Sequence, residues 1–159
     1  MADVEDEEAA SEHQPSVRIG SADGEHLTIS VEGRMHPSTT DFWDGNWLIS
    51  PVTISVGGFT GRISAGLRAE ELLRFRKGLE GLYDSLTGEA TLDSLEEWVS
   101  LRITGDGAGH ITADGTVADR PGMGNELHFR FELDQTYLPG VIAGLRQIES
   151  AFPVLGHPR

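Results

Sequence analysis

Residues 52–86 read VTISVGGFTGRISAGLRAEELLRFRKGLEGLYDSL, and the period of their apolar positions changes once, near Ala69. Before that point Val52, Ile54 and Val56 alternate with Thr53 and Ser55. Gly57-Gly58 turns the chain, and Phe59, Gly61, Ile63, Ala65 and Leu67 alternate with Thr60, Arg62, Ser64 and Gly66. Alternation puts every second side chain on one face of a strand, so this half predicts an antiparallel hairpin with one buried side. After it, Leu72, Phe75, Leu79, Leu82 and Leu86 recur every three or four residues. That spacing predicts an amphipathic helix from about Ala69 to Ser85, with Glu70 and Glu71 where the helix dipole favours acids. Gly78 and Gly81 each cost a helix about 1 kcal/mol relative to alanine, which points to close packing of the helix on a sheet. Thr87-Gly88 is the expected stop.

The same two periods organise the rest of the chain. Upstream, Val17 and Ile19 flank Arg18, and Leu27, Ile29 and Val31 alternate with polar residues after the Asp23-Gly24 pair, a hairpin-turn signal. Downstream, Val99, Leu101 and Ile103 form a strand that turns at Gly105-Asp106-Gly107. Ile111, Ala113, Gly115 and Val117 keep a single alternation across Asp114-Gly115, so this reads as one strand, not a second hairpin. Leu127, Phe129, Phe131 and Leu133 follow the loop 120–125. Leu138, Ile142, Leu145, Ile148 and Phe152 share a helical face, with Thr136 as a candidate N-cap, Pro139 tolerated in the first turn and Pro153 ending the helix. The expected fold class is α+β: an antiparallel sheet of about six to eight strands with two helices packed on one face, in a single domain spanning 16–159.

Composition narrows the function. The 159 residues include no cysteine, which excludes a disulfide framework, a thiolate metal site and a cysteine nucleophile. Twelve basic residues face 26 acidic ones, a formal charge of −14 that opposes binding to nucleic acid or anionic membranes. Six of the 26 acids lie in residues 1–15, MADVEDEEAASEHQP, which read as a disordered acidic tail; the other 20 against 12 bases leave about −8 on the remainder. No apolar run approaches the roughly 20 residues that span a bilayer, and the acidic start is unlike a secretory signal. The expected location is the cytoplasm.

No catalytic, cofactor or metal site is singled out. The six histidines form neither a His-x-His nor a His-Glu-x-x-His pair. His26 and His110 each follow a turn within a faint His-x-Thr echo, which suits solvated strand histidines. The segment Gly105–Gly109 precedes a strand, whereas a phosphate cradle opens a helix, so it reads as a hairpin turn. The most unusual stretch is Thr40-Asp41-Phe42-Trp43-Asp44-Gly45-Asn46-Trp47-Leu48, which holds two of the three tryptophans. It reads either as a loop closing the core, with Trp47 buried and Asp44 bonding its own turn, or as a partner surface made of Asp41, Trp43 and Asp44. Aromatic anchors beside charges are the residues that interfaces use.

The run Asp41-Phe42-Trp43-Asp44-Gly45-Asn46-Trp47-Leu48, followed by a hairpin, a leucine-rich helix and a strand bearing Gly109-His110-Ile111, resembles the WapI-type bacterial immunity proteins. So does the ending Leu127-x-Phe129-x-Phe131-x-Leu133-Asp134-Gln135-Thr136-Tyr137-Leu138-Pro139. The resemblance implies a non-catalytic cytoplasmic antidote that binds and neutralises a cognate polymorphic toxin, often a nuclease, and carries no toxin-contact residues with it. An acidic domain suits a basic toxin surface. Two other readings stay open: a small enzyme using a histidine or carboxylate at the strand ends, and an adaptor using a face that bears Arg18, Arg62, Arg102 and Arg130.

Overall fold

The structure is a computed structural model and describes residues 14–159. The expected acidic tail, 1–15, therefore lies outside the described residues except for Gln14 and Pro15. The Pro15 carbonyl accepts from the Val31 N–H, which ties that point to the fold.

Among the described residues, eleven strands are divided among three antiparallel sheets. The first contains β1 (Ser16–Gly20), β2 (His26–Ser30), β5 (Val52–Val56) and β6 (Phe59–Ile63), in that spatial order. A small one orders β3 (Gly33–Arg34), β4 (Trp47–Ile49) and β7 (Gly66–Arg68). The third runs β11 (Glu126–Asp134), β10 (His110–Ala118), β9 (Val99–Asp106) and β8 (Thr87–Asp93). Between β3 and β4 lies one helical turn, α1 (Phe42–Gly45); α2 (Ala69–Ser85) follows β7, and α3 (Leu138–Ala151) closes the domain. The α+β class and the antiparallel pairing are as expected. The long helix has the bounds that its leucine spacing implies.

The division into sheets has a local cause. The alternation from Phe59 to Leu67 is continuous in sequence, yet the chain changes sheets at Ser64-Ala65, beside the matching break at Ser50-Pro51. Pro51 has no N–H to give a ladder. Buried Ser50 takes over: its hydroxyl lies 3.1 Å from the Leu48 carbonyl and 3.2 Å from the Ala65 carbonyl, and it accepts from the Leu67 N–H at 2.8 Å. The paired strands thus bend together around one hydroxyl. As outermost strand of its sheet, β6 extends past the core, and Phe59 is 66% exposed although the alternation points it inward.

Helix α2 packs on β8 and β9, α3 packs on β1, and the helices pack on each other over one core. Arg76 bridges them, pairing with Glu80 at 2.9 Å and with Glu149 at 2.7 Å, and Arg146 pairs with Glu80. Gly78 is the close approach: a Cβ there would stand 3.1 Å from the Ala90 Cβ, whereas one on Gly81 would meet open space. The helix ends at Ser85 as expected, but Leu86 and not the Thr87-Gly88 pair supplies its left-handed cap. Leu86 takes the left-handed conformation (φ 61°), and Thr87 already belongs to β8. The Asp114-Gly115 pair lies inside a single strand, and a Cβ on Gly115 would fall 1.9 Å from the Ser100 carbonyl oxygen.

Candidate functional site

The tryptophan-rich stretch folds into an ordered corner. Asp41 caps α1, its carboxylate accepting from the Asp44 N–H at 3.2 Å. The carboxylate that bonds the turn is therefore that of Asp41, where the loop reading has Asp44 bonding its own turn. A single helical turn leaves its carbonyls without internal partners, and three side chains supply them. Buried Asn46 donates to the carbonyls of Phe42 (2.8 Å) and Leu155 (3.0 Å) while accepting from the Leu155 N–H (2.8 Å). Arg34 donates to Gly45 (2.8 Å) and Pro153 (2.6 Å). Arg68 donates to Trp43 (2.6 Å) and Phe42 (2.7 Å).

Arg68 is the centre of this corner. It is only 2% exposed, pairs with Glu70, and carries its guanidinium among three rings. The ring centres of Trp47, Phe42 and Trp43 lie 4.7, 5.4 and 5.6 Å from it. Cation–π attraction is strongest where water is excluded, about 2 kcal/mol or more per contact when desolvated. Phe42 meets Trp43 edge-on, with ring centres 5.0 Å apart. Beneath Arg68, buried Glu71 accepts from the N–H groups of Arg68 and Leu95, both at 2.7 Å, which joins the corner to the β8–β9 loop. Burial raises the Glu71 carboxyl pKa above its ordinary value, and the two backbone hydrogen bonds oppose that shift.

Asp41, Trp43 and Asp44 thus share one short turn, and all three are exposed, Trp43 by 52%. Trp47 faces inward and is half-buried. Sequence reasoning missed Arg68 and Asn46, which hold the turn; an arginine flanked by apolar Leu67 and Ala69 was the available signal.

The other flagged residues are spread apart. The Nδ1 atom of His26 lies 2.9 Å from the carbonyl oxygens of Ser21 and Gly24, in its own turn. His110 lies on β10 beside Asp106, whose carboxylate accepts from the N–H groups of Ala108 (2.7 Å) and His110 (3.2 Å), as a hairpin turn requires. The four arginines divide between two sheets. Arg18 and Arg62 end one cross-strand row through Thr28 and Thr53, and Arg102 and Arg130 flank Asp114 on the third sheet.

Fold and corner together define a class: an α+β domain that presents a short hydrogen-bonded turn with exposed Asp41, Trp43 and Asp44. The model of the Immunity protein WapI-like family matches residues 18–153, and the chain belongs to that family. No curated protein matches it. Membership in an immunity-protein family implies binding to a cognate toxin. Among the described residues, no helix is long and apolar enough to cross a membrane.

Proposed function

We propose that this protein is a cytoplasmic immunity protein that neutralises a cognate polymorphic toxin by covering a basic surface of it, with Asp41, Trp43 and Asp44 in the contact. The observation that carries the reading is the half-exposed Trp43, held on a turn whose carbonyls are clamped by Arg68, Arg34 and Asn46. An anchor ordered before binding loses little entropy on docking, so more of its contact energy becomes affinity. Asp41 and Asp44 flank the ring, and the formal charge of −14 supports fast electrostatic encounter with a cationic partner.

Protection of cells tests this directly. A candidate polymorphic toxin domain, sought among the neighbouring genes, is expressed alone and together with the protein. Growth restored by the protein, with a complex recovered from the same cells, is the expected result. Unchanged killing at equal expression, with no complex formed by the purified proteins, removes the reading.

A further inference from the structure

A second feature extends the surface beyond the tryptophan corner. The loop Leu95–Trp98 joins β8 to β9, and it is fixed at both ends. The Ser94 hydroxyl accepts from the Val99 N–H, the Ser94 carbonyl accepts from the Glu97 N–H, and the Leu95 N–H donates to Glu71. The neighbouring β10–β11 loop is closed by Asp119, which accepts from the backbone and the side chain of Asn125. Between the two loops runs a groove of about 450 Å³ lined by Leu95, Glu96, Glu97, Trp98, Pro121 and Gly122. Leu95 is 64% exposed, and its backbone N–H is held by Glu71.

The chemistry of this groove is specific. Its apolar part is an indole, a leucine and a proline, and its polar part is two carboxylates. On its other side the same loop borders a groove that holds Asp93 and Glu126, and among the described residues neither groove is lined by a lysine or arginine. An arginine side chain satisfies both halves at once, since its stem covers apolar surface while its guanidinium stacks on an indole and pairs with carboxylates. The protein uses that combination internally, where Arg68 lies among Trp47, Phe42 and Trp43 and pairs with Glu70.

Glu97 adds a separate observation. It sits at φ 65°, in the left-handed region where a glycine would be unstrained. A glutamate held there is strained, and the hydrogen bonds of the loop give no reason for a carboxylate at that position.

We infer that the groove between Leu95–Trp98 and Pro121-Gly122 receives an arginine side chain of the cognate toxin. Glu96 and Glu97 pair with its guanidinium, and Leu95 and Trp98 cover its stem. The inference rests on the immunity reading and names a second contact for it. Hydrogen bonds from Leu95 through Glu71 and Arg68 to the Trp43 carbonyl link the two contacts into one framework.

The test measures binding kinetics of the full chain against an inactivated variant of the toxin domain that passes the protection test above. The variants are Glu96→Gln with Glu97→Gln, Leu95→Ala and Glu97→Gly. The first two should weaken binding about tenfold or more. Glu97→Gly should weaken binding while its melting temperature stays level or rises, which a residue retained for folding would not do. Variants that bind like the parent overturn this inference and leave the immunity reading intact. Absence of binding by the parent chain overturns both.

Discussion

The guanidinium carbon of Arg68 stands 4.7 Å from the centre of the Trp47 ring while the same group donates to the carbonyls of Phe42 and Trp43. One buried cation therefore orders the turn that presents Trp43. Its replacement by lysine keeps the charge and loses the planar fork that reaches both carbonyls while lying among the rings. Arg68→Lys should cost about 2 kcal/mol or more, read as a lower urea midpoint, with tryptophan emission shifted to longer wavelength. An unchanged midpoint and spectrum would mean that the corner does not depend on this residue.

Two glycines give opposite expectations. A Cβ on Gly115 would fall 1.9 Å from the Ser100 carbonyl oxygen, and one on Gly81 would meet nothing within 4 Å. Gly115→Ala must displace strand backbone and should destabilise by about 2 kcal/mol or more. Gly81→Ala lies in an exposed helix interior and should stabilise by about 0.5–1 kcal/mol. Denaturant titrations of the two variants should move in opposite directions.

Ser50 is the point about which two strands bend. Ser50→Ala leaves the buried Leu67 N–H without its acceptor at 2.8 Å, a loss of about 1–3 kcal/mol. Amide exchange at Leu67 should accelerate along with the drop in stability. Threonine, which retains the hydroxyl, should recover part of it.

These elements also show where the sequence was legible. Helix α2 and strand β10 follow from apolar spacing because a whole face of each lies on the core. Strand β8 escaped because only Ala90 and Leu92 of its seven residues are buried, so no alternation stands out. The bend in the long hairpin was hidden because the period of its side chains runs on through Ser64-Ala65 while a hydroxyl 15 residues away redirects the backbone. The tryptophan corner was visible as composition. Its organising residue was marked only as an arginine between apolar Leu67 and Ala69, because Arg68 bonds carbonyls 25 and 26 positions distant and no local pattern encodes those partners.

Acid should weaken the domain through its turn carboxylates. Hydrogen bonds hold Asp106, Asp119 and Asp134 below the ordinary aspartate value, led by the Ala108 N–H, the Asn125 side chain and the Thr136 hydroxyl respectively. The folded state therefore binds fewer protons than the unfolded one. That contribution is complete above the unfolded pKa, about 3.9, and is lost as pH falls through the lower folded values. Glu71 has the opposite sign, because its raised pKa makes its contribution fall as pH rises. Urea midpoints between pH 2 and 6 should decline towards acid, and Asp119→Asn should flatten the decline.

The most direct measurement of the central claim is the binding kinetics of Trp43→Ala and of Asp41→Asn with Asp44→Asn, each shown to be folded, against the neighbouring toxin domain over a range of salt. Exposed charges act over about 8 Å at physiological salt, so association of the parent should slow as salt rises, and the double asparagine variant should associate slowly with little salt dependence. Loss of the indole should instead speed dissociation, by about 2 kcal/mol or more in affinity. Association indifferent to salt and to both aspartates, with normal dissociation of the Trp43 variant, would contradict the account.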